Sequence, residues 1–116
     1  MSVFERGRWW WLLAALCLMA AALFALRKQE PPASRRVVVE IRAMAFHPAR
    51  LEVAVGDTVV WVNRDFVPHT ATAAGAWDTG VIAAGAEAGA VASTVGELTY
   101  TCSLHPVMRG WIVTRD

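Results

Sequence analysis

The sequence predicts an all-β sandwich preceded by one N-terminal hydrophobic helix. Residues Trp9 to Leu26 run for 18 positions without a charge, and a polar stretch containing Pro31-Pro32 follows. From Val37 onward the chain breaks into short apolar or alternating runs separated by turn residues, which is the pattern of strands. These shifts divide the chain into an anchor or signal segment at 1–26, a linker at 27–36 and a β domain at 37–116.

The first block, WWWLLAALCLMAAALFAL, is flanked by Arg6 and Arg8 on one side and Arg27 and Lys28 on the other. As a helix it is roughly 27 Å long, close to the hydrocarbon thickness of a bilayer. Its three leading Trp suit an interfacial aromatic belt. A cleaved signal peptide is the competing reading, because Ala20-Ala21-Ala22 satisfies a small-x-small cleavage pattern. Cys17 fits a small apolar membrane residue better than a lipidation site. Four basic residues follow the block within ten positions and two precede it, so the positive-inside rule points the β domain to the cytoplasm. The chemistry described below points it outside, and the expectation follows the chemistry.

Residues 27–36 (RKQEPPASRR) carry no apolar period and are stiffened by the Pro pair, as a spacer would be. The net charge of +1 conceals an asymmetry of +4 over residues 1–36 against −3 over 37–116. No basic surface remains in the β domain to bind nucleic acid.

Within that domain Val37–Ile41 reads as a strand, and Leu51–Val55 as a second with Leu51, Val53 and Val55 on one face. Thr58–Asn63 follows the Gly56-Asp57 turn, and later runs are Val91–Val95, Leu98–Cys102 and Trp111–Thr114. The Ala/Gly-rich segment 83–92 reads as a loop or weak strand. Trp61 and Trp111 are core candidates by alternation, Met44 belongs in the core beside Phe46, and Trp77 is undecided. Eighty residues form a core that is only marginally stabilising, so a bound metal would add to folding.

The chemistry lies in Cys102-Ser-Leu-His105-Pro-Val-Met108, which places a thiolate, an imidazole and a thioether within seven residues. A tight loop with donors at i, i+3 and i+6 can offer three corners of one metal site, whereas a helix would turn them to different faces. His69, in Val67-Pro68-His69-Thr70, supplies a second imidazole from 33 residues upstream. Cys, two His and a weak axial Met are the ligands of a mononuclear blue-copper site. Structural zinc sites use several Cys or His and have no place for a thioether. A dinuclear copper centre needs two bridging cysteines, and the β domain has Cys102 alone. Four protein ligands also leave no open position of the kind that activates water. His47, before Pro48, reads as a surface histidine outside the site.

Gly56-Asp57-Thr58-Val59-Val60-Trp61-Val62-Asn63-Arg64, the Pro68-His69 pair and Cys102-x-x-His105-Pro106-x-Met108-Arg109-Gly110 together resemble the cupredoxins, the type 1 blue copper proteins, and among them the amicyanin type with its short ligand loop. The resemblance covers nearly all of residues 37–116. It implies an eight-stranded Greek-key β-sandwich, one copper ion bound by His69, Cys102, His105 and Met108, and electron transfer. It also implies that the Asn63 amide ties the two ligand loops together. Two departures stand out. The residue between the Cys and His ligands is Leu104 where that type has Pro, and the extra N-terminal strand of that type is missing. Leu104, unlike Pro, has an N–H that can donate to the Cys102 sulfur and raise the potential.

The function expected is therefore a single-electron carrier rather than an enzyme. It would work on the periplasmic side of a bacterial cytoplasmic membrane, anchored through residues 9–26, or in soluble form after signal cleavage. His105 is the expected exit for the electron, with Phe66, Val67, Pro68, Pro106 and Val107 as an apolar docking patch. By resemblance the partners are redox proteins such as a cytochrome c or an amine dehydrogenase. Copper storage or delivery is the alternative, and the absence of Met-rich or His-rich tails weighs against it.

Overall fold

The computed structural model describes residues 3–27 and 32–116, which fall into two units divided between Ala33 and Ser34. The first is a helix, α1, Val3–Ala25. Its stretch Gly7–Ala25 is long and apolar enough to cross a membrane. From Trp9 to Phe24 its described Trp, Leu and Phe side chains are exposed, and this stretch carries no charged residue to form a polar face.

The second unit is a two-sheet sandwich of nine strands: β1 Arg36–Arg42, β2 Ala45–His47, β3 Arg50–Ala54, β4 Thr58–Asn63, β5 Thr72–Ala73, β6 Trp77–Asp78, β7 Glu87–Val91, β8 Gly96–Thr101 and β9 Arg109–Arg115. One sheet has the order β2-β1-β4-β7 and the other β3-β9-β8-β5-β6. The pairs β1 with β4 and β3 with β9 are parallel, which requires crossed connections between the sheets of the Greek-key kind. Nine strands appear where the resemblance implied eight, because β5 and β6 are two-residue pieces of one short hairpin.

The core between the sheets is aromatic at its centre. Trp61, Tyr100 and Phe46 are almost fully buried, and Trp77 lies 4.8 Å from Trp61 and 5.4 Å from Tyr100 between ring centroids. Tyr100 pairs with Gly110 across β8 and β9, and a Cβ at position 110 would overlap the tyrosine ring. Glycine there lets the strand pass over the aromatic cluster and sets the register that closes the 102–108 loop.

Several expectations need correction. The predicted strand at 91–95 lies earlier, as β7, within the segment that looked too rich in Ala and Gly. Pairing with β4 favours glycine at the centre of β7, since a Cβ on Gly89 would sit 3.2 Å from the Val59 carbonyl oxygen. Met44 is exposed, not core. It and Ala43 have φ of 58° and 50° in the turn joining β1 to β2, which directs the methionine outward. Val55 is exposed beyond the end of β3, and Trp111 is only half-buried while Trp61 is fully buried.

The turn before β4 is held by Asp57. Gly56, at φ 94°, allows the Asp57 N–H to reach the Ala54 carbonyl at 3.0 Å. The buried Asp57 carboxylate accepts from the Arg35 and Ala54 N–H groups, both at 2.9 Å, and from the Arg35 guanidinium at 3.2 Å. Those backbone donors hold its carboxyl below the ordinary value of 3.8.

Candidate metal centre

Three donors converge: His69 from the segment between β4 and β5, and Cys102 and His105 from the loop that joins β8 to β9. β8 ends at Thr101 and β9 begins at Arg109, opposite each other in register, so the seven residues between them form a closed loop. Three backbone bonds tighten it: His105 N–H to Cys102 O at 3.2 Å, Met108 N–H to His105 O at 2.9 Å, and Cys102 N–H to Met108 O at 3.3 Å. Cys102 and Met108 are thereby drawn into the core, 0% and 2% exposed, while His105 stays half-buried at the surface. His69 is clamped by a two-way backbone pair with Ile82 at 3.1 and 2.7 Å and is fully buried.

His69 Nδ1 lies 3.8 Å and His105 Nδ1 3.7 Å from Cys102 Sγ. All three atoms lie within 4.8 Å of one another. Metal–sulfur and metal–nitrogen bonds of about 2.3 and 2.0–2.1 Å closing an angle near 120° require an S···N distance of roughly 3.8 Å. The three donors therefore fit around one metal ion. A soft thiolate with two imidazoles, and a thioether on the same loop, is a donor set suited to copper. His47 lies outside the cluster, in β2, with its Nε2 3.1 Å from the Arg42 carbonyl.

The groups behind the donors are mostly ones the sequence did not single out. Asp65 is the first. Its carboxylate lies 2.8 Å from His69 Nε2 and accepts from the Ala43 and Met44 N–H groups at 2.7 and 3.0 Å. It thus orients the imidazole and also holds the left-handed turn between β1 and β2. Burial alone would raise its carboxyl, but the hydrogen bonds from Met44, His69 and Ala43 outweigh that and keep it below the usual carboxylate range. A carboxylate on the outer nitrogen of a ligating histidine selects its tautomer and raises its basicity.

Asn63 is fully buried, and its amide donates to the carbonyls of Val67 at 2.8 Å and Ile82 at 3.0 Å. It braces the His69 loop and does not reach the Cys102 loop. That tie is made by Thr70, whose N–H donates to Cys102 Sγ at 3.2 Å and whose Oγ1 accepts from the Ser103 N–H at 2.8 Å. Leu104 departs from expectation as well. Among the described residues the only backbone N–H on the sulfur is that of Thr70, because the turn from Cys102 to His105 directs the Leu104 amide elsewhere. The available signal was position: Thr70 and Ser103 each directly follow a donor. Phe66, Val67, Leu104 and Val107 are exposed on the two donor loops, Phe66 and Val107 almost completely.

The chain is similar to known proteins in sequence and in fold. The cupredoxin-like domain family matches residues 14–114. Amicyanin of Paracoccus denitrificans is 33% identical over 87 residues, 66% of this chain and 63% of that protein, and amicyanin of Paracoccus versutus is 32% identical over the same shares. The chain thus spans less than two thirds of the length of these relatives. Among solved structures, an oxidised amicyanin variant superimposes with TM-score 0.65 at 29% identity, covering 75% of this chain and 87% of that one. A purple cupredoxin from Nitrosopumilus maritimus gives TM-score 0.65 at 26% identity over 68% and 99% of the two chains. With the family match running over most of the chain and an amicyanin 33% identical over 66% of it, this chain belongs to the cupredoxin-like family.

Proposed function

We propose that this protein is a type 1 copper electron carrier, with His69, Cys102 and His105 as the close ligands and Met108 as the weak axial one. The observation that carries the reading is the pair of S···N distances, 3.8 and 3.7 Å, at a thiolate that is fully buried. Copper bound there supplies a one-electron Cu(II)/Cu(I) couple. The chain's own part is to hold the donors in place: the backbone-closed loop, the Ile82 clamp and the Asp65 bond resist rearrangement when the charge changes. The Thr70 N–H stabilises the thiolate. Half-buried His105, among exposed Leu104, Val107, Phe66 and Val67, is the exit for the electron. These apolar side chains suit brief docking to another redox protein, such as a cytochrome c or an amine dehydrogenase. The apolar stretch Gly7–Ala25 supports a carrier anchored to a bacterial cytoplasmic membrane, or exported and then released by signal cleavage, and the copper-thiolate chemistry favours the periplasmic side. Deep burial of Cys102 and His69 supports transfer of electrons over release of metal.

The test is the visible spectrum of Cu(II)-loaded full-length protein in detergent. An intense thiolate-to-copper charge-transfer band is expected, lost in Cys102→Ser and kept in His47→Ala. A colourless wild type, or bleaching by His47→Ala, would overturn the assignment.

A further inference from the structure

From Ser103, beside the thiolate, a line of hydroxyl groups runs out to a surface carboxylate. Ser103 Oγ lies 3.0 Å from Thr70 Oγ1, which lies 3.0 Å from Thr72 Oγ1, which donates to Asp78 Oδ1 at 3.1 Å. Asp78 is fixed in turn by the Gly80 N–H at 2.8 Å, and it faces Thr72 in register across the β5–β6 hairpin.

An ionised carboxylate only accepts, and each hydroxyl has one proton to give. The polarity of the line follows from that. Thr72 spends its proton on Asp78, so it must accept from Thr70. Thr70 in turn must accept from Ser103, and its two acceptor sites are filled by the Ser103 hydroxyl and by the Ser103 N–H at 2.8 Å. Thr70 is also the residue whose own N–H contacts Cys102 Sγ at 3.2 Å. The two residues that directly follow His69 and Cys102 are thus locked together in an arrangement whose direction is set from the surface.

We infer that Asp78 is a positioning residue for the metal thiolate. By orienting Thr72, Thr70 and Ser103 it holds the Thr70 N–H on the Cys102 sulfur and so keeps the reduction potential high. The inference rests on the copper reading above. Hydrogen bonding around the cysteine sulfur controls the potential of such sites. Without an acceptor at position 78 the line can reverse, the N–H···S contact loosens, the sulfur donates more to copper, and the potential falls. Loss of the Asp78 charge alone acts in the opposite direction, because a nearby anion favours Cu(II).

Two substitutions separate these effects. Both Asp78→Asn and Asp78→Ala remove the charge, and only the first keeps an acceptor for Thr72. In full-length protein in detergent, Asp78→Ala should have a potential below that of Asp78→Asn by about a threefold change in the redox equilibrium, or roughly 28 mV at 59 mV per tenfold for one electron. Thr72→Val, which removes the hydroxyl from a half-exposed strand position, should lower the potential similarly and add little to Asp78→Ala. In metal-free protein the Thr70 and Ser103 amides should exchange with solvent at least about threefold faster in Asp78→Ala than in Asp78→Asn, as local opening becomes easier. Equal potentials for the two Asp78 variants would overturn the inference, and so would equal exchange. A wild type without the visible band fails the copper reading and is recognised as such, and the exchange comparison, which needs no metal, still decides whether Asp78 holds the loop.

Discussion

Replacing Asp65 with alanine removes one carboxylate from three partners at once. The side chain is 14% exposed and accepts from Ala43 N–H, Met44 N–H and the His69 ring. Hydrogen bonds to a charged group contribute about 1.5–3 kcal/mol each. They do not add fully, and water can replace some of them in the variant, so a loss of about 3 kcal/mol is the reasonable magnitude. The turn it serves has no glycine or asparagine to favour it. Ala43 and Met44 sit in the left-handed region, which costs roughly 1–2 kcal/mol per residue and is sustained by the carboxylate. For a unit of this size 1 kcal/mol corresponds to about 4–8 °C, so the melting temperature of metal-free protein should fall by roughly 12–24 °C. Copper affinity should fall as well, by about 10–100-fold, because the His69 ring loses the partner that orients it. Asp65→Asn should lie between, since its carbonyl oxygen still accepts while its NH2 opposes a donor. Thermal unfolding followed by near-ultraviolet circular dichroism and competition with a copper chelator measure the two effects. A melting point within about 4 °C of wild type together with affinity within about threefold would refute the reasoning.

Gly110→Ala should lower stability by about 2–3 kcal/mol, as overpacking against a ring already held on several sides does, and chemical denaturation will measure it. Asp57 should make stability depend on acid. With its carboxyl below 3.8 in the folded chain, its contribution is complete above about pH 4–5 and is lost as the pH falls through the lowered value, so Asp57→Asn should flatten the loss of stability between about pH 5 and pH 3. Leu104→Pro removes an N–H that is not bonded to the sulfur, and voltammetry should find the potential within about 10 mV of wild type, less than a twofold change in the redox equilibrium.

What the sequence determined by itself was whatever is written in neighbouring residues. The 18-residue uncharged block, the alternating runs that became β1, β3, β4, β8 and β9, and the i, i+3, i+6 spacing of Cys102, His105 and Met108 depend on local periodicity and on the length of one loop. His69 was legible because a histidine after proline, leaving a strand, is a short-range feature too. Tertiary structure decided what depends on residues far apart meeting. β7 is a strand because β4 lies beside it, where a Cβ on its central Gly89 would press on the Val59 carbonyl, a constraint that strand propensity does not contain. Met44 faces outward because a carboxylate 21 residues away captures its N–H and sustains a positive φ. The sulfur takes its hydrogen bond from Thr70, 32 residues away, and not from Leu104 two residues on, because the direction of an N–H follows from the turn geometry that the closed loop imposes.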